Sequence, residues 1–148
     1  MKKALLLLLL GFAALPSAIA QKTDKSAAVF STASGAIAGY DPVAYFTQSR
    51  PVKGQPDIAY AWNGTTWHFA SAANRDLFQQ SPEKYAPQFG GWCAYGWAQG
   101  YPAKIEPEAW SIVDDKLYLN YDPDIQKKWL KKQAEYIQKA VKNYAERK

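Results

Sequence analysis

Ile58-Ala59-Tyr60-Ala61-Trp62-Asn63-Gly64-Thr65-Thr66-Trp67-His68-Phe69-Ala70 is the stretch that decides the fold of this chain. Asn-Gly between two runs rich in aromatic and β-branched residues specifies a two-residue hairpin turn. Both turn positions need positive φ, and Asn and Gly adopt it at the least cost. With Asn63-Gly64 as the turn, Trp62 faces Thr65, Tyr60 faces Trp67 and Ile58 faces Phe69. Strand side chains alternate between faces, so these six residues share one side, and their aromatic bulk makes it the core side. Ala59, Ala61, Thr66, His68 and Ala70 fall on the other, which sets His68 opposite Ala59 among small neighbours.

Working outward, Ser71 is a good N-cap for a helix carrying Ala72, Ala73, Leu77 and Phe78. Ser81-Pro82 repeats the signal, with Pro at the first helical position and Tyr85 on the turn that follows. Upstream, Pro42 holds Asp41 away from helical angles and opens a short helical turn through Tyr45. Downstream, Pro87 to Gly100 is rich in glycine and aromatics and contains Cys93. Trp110–Val113 and Lys116–Tyr121 form a second hairpin across Asp114-Asp115, with Trp110, Ile112, Leu117, Leu119 and Tyr121 on one face. Asp122-Pro123-Asp124 then caps and opens a final helix. Its expected apolar stripe is Leu130, Ala134, Ile137, Val141 and Tyr144, with lysines over much of the remainder as a solvated face. The expected class is therefore α+β: two antiparallel β-hairpins with short intervening helices and a long C-terminal amphipathic helix packed across them.

The 148 residues suffice for one domain with an ordinary core. Residues 1–20 read as a signal peptide: Lys2 and Lys3, an apolar run from Ala4 to Leu15, then small residues at Ala18-Ile19-Ala20. Residues 21–36, small and polar, read as a flexible leader, and residues 37–148 as the domain. The protein is thus expected to be exported, in the first place to the periplasm, with no stable membrane insertion once the signal is removed. Without Lys2 and Lys3, 16 basic residues stand against 13 acidic ones, a mild net charge of +3 that does not argue for nucleic acid. One Cys excludes a disulfide framework within the monomer. With one His, no Gly-x-Ser-x-Gly and no phosphate loop, an enzyme is not expected.

The chain resembles the YHS-domain proteins, and within them the exported single-domain branch. The resemblance rests on Gly39-Tyr40-Asp41-Pro42-Val43-Ala44-Tyr45-Phe46, on Trp62 to Ser71, on Asn74, Leu77-Phe78, Pro82 and Tyr85, and on Gly90 to Gly96 with Trp110 to Val113. It implies a small α+β module, similar to TRASH domains, associated with heavy-metal handling. It also implies cysteine ligands, at positions that are Ala44, Ala70 and Asn74 in this sequence. The function implied is an exported, non-catalytic YHS-type binding protein involved in metal (copper) handling.

Three kinds of chemistry compete for the few reactive groups. Thiolate and imidazole suit copper and zinc, so a metal ion, Cu or Zn, would be held by Cys93 and His68 with Asp41 as an oxygen donor. Alternatively, Cys93 is a redox thiol, although no neighbouring cation or second cysteine lowers its pKa. The third alternative is an interaction module for a small ligand or a protein partner, with Cys93 packed as a buried small hydrophobe. If the two motifs meet, Tyr40, Asp41 and Tyr45 would form an aromatic pocket with a carboxylate near the Gly-rich loop.

Overall fold

A computed structural model describes residues 28–147; the expected signal peptide and the leader up to residue 27 lie outside the described residues. A small hairpin, β1 (Ser31–Thr32) and β2 (Gly35–Ala36), leads into α1 (Ala44–Thr47). The central hairpin is β3 (Gln55–Trp62) and β4 (Thr65–Phe69), followed by α2 (Ala72–Gln80) and α3 (Pro82–Tyr85). After a tight turn at Gln88–Gly91 come α4 (Ala94–Ala98), the hairpin β5 (Trp110–Val113) and β6 (Lys116–Leu119), α5 (Pro123–Leu130) and α6 (Gln133–Ala145). The class is α+β as expected, but the described residues hold three separate antiparallel hairpins rather than two.

The third hairpin comes from the supposed leader. Residues 28–36 are built into the domain: Val29, Phe30 and Ala36 are buried. The Phe30 amide donates to Gly90 O at 2.8 Å, and the Ile37 amide donates to Phe30 O at 2.9 Å. Phe30 also sets its ring edge-on to Trp92, with centroids 5.1 Å apart. Small polar residues gave the segment a leader's composition, yet two apolar side chains are enough to dock it.

In the central hairpin Trp62 pairs with Thr65, Tyr60 with Trp67 and Ala59 with His68, as the turn predicts. The turn residues Asn63 and Gly64 both have positive φ, at 50° and 76°, which matches the right-handed twist of the strands. The expected pairing of Ile58 with Phe69 does not form. Phe69 pairs instead with Gln55, across a bulge between Gln55 and Ala59. Pro56 lies inside that bulge, and having no N–H it cannot donate to the ladder. On the core face, Tyr60, Trp62, Trp67 and Phe69 all meet the ring of Phe78 from α2, with centroids 5.1–6.3 Å apart. Ser71 caps α2 by accepting from the Asn74 amide at 3.1 Å.

The second expected hairpin has its predicted register, Trp110 with Leu119 and Ile112 with Leu117, although β6 ends at Leu119, before Tyr121. The single long C-terminal helix is two helices. Asp122 caps α5, accepting from the Ile125 amide at 2.7 Å, but the helix breaks at Lys132, whose φ and ψ are −140° and 40°. Of the expected stripe, Ile137 and Tyr144 pack against the core, but Leu130, Ala134 and Val141 do not. Trp129 and Ala140 are fully buried, while Leu130 and Val141 are 47% and 55% exposed. Tyr136 and Tyr144 pack edge-on to Tyr95 and Trp97 of α4, and Asn143 donates to Trp97 O at 2.9 Å. These contacts lay α6 along α4, which positions the residues around Cys93.

Candidate functional site

Asp41 is completely buried, and its carboxylate is filled by N–H donors. Oδ1 accepts from the amides of Val43 (2.8 Å) and Ala44 (3.3 Å), where the chain enters α1. Oδ2 accepts from the Ala70 amide (2.8 Å) and from Asn74 Nδ2 (2.7 Å). Burying a carboxylate is costly unless it is hydrogen-bonded, and four donors meet that need here. Asp41 thereby ties the start of α1 to the end of β4 and the first turn of α2. The pocket expected from Tyr40, Asp41 and Tyr45 is not formed. Tyr45 is itself buried, packs against Trp110 and donates its hydroxyl to Pro107 O at 2.9 Å. Burial pushes its phenol well above the ordinary range, with Glu108 adding to the effect.

Cys93 is 1% exposed and serves as the N-cap of α4, its Sγ accepting from the Gly96 amide at 3.3 Å. The thiol donates in turn to Oδ1 of the buried Asn120 at 3.6 Å, and the same oxygen accepts from the Tyr95 amide at 3.1 Å. Burial pushes the Cys93 thiol above its ordinary pKa, and backbone N–H groups from Gly96, Tyr121 and Tyr95 oppose that shift without reversing it. The thiol is accordingly a protonated, hydrogen-bonded cap rather than a poised nucleophile.

Above this cap lies a cleft of about 310 Å³. Tyr95 from α4 and Tyr101 from the following loop form part of its wall, Tyr121 and Ile125 another part, and Cys93 and Asp122 also line it. Tyr101 and Tyr121 are 52% and 39% exposed, unusual for such large rings. Two lysines stand over the tyrosines: Lys128 Nζ is 5.1 Å from the Tyr95 ring centroid and Lys104 Nζ 5.0 Å from that of Tyr121. A volume near the lower end for small-molecule pockets, apolar walls and a few polar groups give the cleft the size and chemistry of a small-molecule site.

His68 stands on the outer face of β4, where its ring lies beneath Gly35 of β2. It lines a shallow, mostly polar depression with Thr32 and Thr66, and that depression shares no lining residue with the cleft over Cys93. Cys93, His68 and Asp41 are therefore not brought together, and among the described residues no three His, Cys, Asp or Glu side chains gather to hold a metal ion. Neither Asn120 nor Tyr101 stands out in the sequence, and Asp122 does so only as a helix cap. Asn120 carried one local signal, a polar residue closing the apolar run Leu117-Tyr118-Leu119.

A central aromatic hairpin backed by α2 and tied to α1 through a buried carboxylate defines a small α+β domain. More particularly, residues 43–89 match the family model of the YHS domain. Searches of curated proteins and of solved structures found no match. The YHS domain is a metal-associated family, but the residues present here do not fit a thiolate-held metal. At the positions where the resemblance calls for cysteines, Ala44 and Ala70 offer backbone N–H groups and Asn74 a side-chain amide, all directed at Asp41. Donors of hydrogen bonds occupy the place of donors of electron pairs. The cleft over Cys93 lies beyond the matched segment, which ends at Phe89.

Proposed function

We propose that this is an exported, non-catalytic binding protein that takes a small, ring-containing ligand in the cleft over Cys93. The observation that carries this reading is the set of partly exposed tyrosines, Tyr95, Tyr101 and Tyr121, converging on one cleft above a buried, capped thiol. A cysteine fixed as a helix cap gives the cleft floor rigidity, and aromatic walls supply binding area at low entropic cost. Export is supported by Lys2 and Lys3, the apolar run that follows and the small residues at Ala18-Ile19-Ala20. Copper handling draws less support, since one hydrogen-bonded thiol without a second soft donor is a poor Cu(I) site.

Titration of the mature chain with indole, followed by amide NMR, tests the reading. Saturable shifts centred on Tyr95, Tyr101, Tyr121 and Ile125 are expected. Shifts scattered over the surface, or none, would sink it. A parallel Cu(I) titration is expected to show no stoichiometric binding that a Cys93→Ser change removes; such binding would restore the metal reading.

A further inference from the structure

We infer that the cleft selects an anionic aromatic ligand, its ring lying between the tyrosines and its carboxylate or sulfonate facing Lys104 and Lys128. The inference rests on the cleft being the binding site and adds the charge of what it takes. Three observations carry it. The first is that both lysines stand over tyrosines of the cleft wall, at 5.0 and 5.1 Å, outside the lining but next to it: Lys104 follows Ala103 and Lys128 lies one turn after Ile125 on α5.

The second is that neither is neutralised. Among the described residues, Lys104 and Lys128 meet no carboxylate within ion-pair distance, whereas their neighbours Lys127 and Lys139 pair with Asp124 and Glu135. Lys128 also holds its proton more tightly than an ordinary lysine, chiefly through hydrogen bonding to Tyr95, so it stays charged across the neutral range.

The third concerns the single acidic residue of the lining. Asp122 already accepts the Ile125 amide with Oδ1 at 2.7 Å as the cap of α5. The local balance is two ammonium groups against one carboxylate, a net charge of one positive, with Oδ1 of that carboxylate turned to the α5 amide. Cation–π contact holds the ammonium groups over the rings without cancelling their charge, so an incoming anion finds them positioned. The cleft volume of about 310 Å³ suits one or two fused rings rather than a larger cofactor.

Two probes of nearly equal shape separate the charge from the cavity: indole-3-acetate and its neutral amide, indole-3-acetamide. Isothermal titration of the mature chain at low salt is expected to give the acetate an affinity about two- to fivefold tighter than the amide, as one exposed ion pair allows. In a Lys104→Gln, Lys128→Gln double variant the two affinities should converge, while Tyr101→Ala should weaken both alike. All three substitutions lie on exposed side chains, so folding is not at issue. Equal affinity of the two probes for the unaltered chain overturns the anionic preference and leaves the cleft as a binding site. Saturable binding of neither overturns the cleft itself.

Discussion

Asn74 Nδ2 donates to Asp41 Oδ2 at 2.7 Å, and both side chains are buried. This bond spans 33 residues of sequence and joins the loop before α1 to the first turn of α2. With the Ala70 amide on the same oxygen and the Val43 and Ala44 amides on the other, it makes the carboxylate a structural centre of the domain.

Removing the carboxylate leaves several of those donors buried without partners, each costing part of a desolvation penalty. Asp41→Ala is therefore expected to destabilise the fold by about 3–5 kcal/mol, read from the shift in urea midpoint. Asn74→Asp is a sharper probe, since it sets a second carboxylate against the first. Like-charge repulsion raises the pKa of the pair above its unfolded value, so the variant should be weak at neutral pH and recover as acid protonates one partner. A variant equally stable at pH 7 and pH 5 would contradict this arrangement.

Phe78 is where the aromatic face of the central hairpin meets α2, touching Tyr60, Trp62, Trp67 and Phe69. Phe78→Ala empties that contact and should cost about 3–5 kcal/mol in equilibrium unfolding. Phe78→Leu, which keeps most of the volume, should cost less than half as much. Similar losses for the two would mean that the aromatic ring itself, rather than the volume it fills, carries the contact.

The parts of this fold that were legible in the sequence are those set by local chemistry. Asn63-Gly64 set a hairpin and three of its pairings, and Ser71 and Asp122 announced caps that both make their hydrogen bonds. The rest depends on distant partners. No Gly or Pro marks the helix break at Lys132, and burial passes from Leu130 to Trp129 and from Val141 to Ala140, a small residue that seats in the cluster around Trp97 and Trp129. The candidate site was half visible. Cys93 stood out as the sole thiol, but its partner Asn120 lies 27 residues away, and the tyrosines of the cleft come together only through the packing of α4 and α5.

Gly91 ends a left-handed turn, at φ +81°, and an added Cβ there would lie 2.7 Å from Ile37 Cγ2. Ile37 itself has a φ of 44°, rare for a β-branched residue, so neither side gives way easily. Gly91→Ala combines backbone strain with overpacking and is expected to cost about 2–4 kcal/mol. Coupling it with Ile37→Ala removes the clash, and the double variant should be less destabilised than the sum of the single changes. Strict additivity in that cycle would show that the two residues do not touch.

Cys93 makes the remaining prediction, because its burial has consequences for both reactivity and pH. A thiol that is 1% exposed and hydrogen-bonded to Asn120 should resist a disulfide reagent in the native protein and react only at the rate of unfolding. Its folded pKa is raised by burial, so the folded state keeps the proton longer than the unfolded chain does. That contribution to stability is complete below the unfolded thiol's value of about 8.5 and drains away as pH rises toward the folded one. Urea midpoints measured from pH 7.5 to pH 10 should fall more steeply for the unaltered protein than for Cys93→Ala, which has no thiol to ionise. Buried Tyr45 and Tyr118, whose phenols are also raised, add a further decline at higher pH that both proteins share. Rapid stoichiometric labelling of the native thiol, or parallel slopes for the two proteins, would mean that Cys93 is open to solvent and free to act as a ligand or redox group.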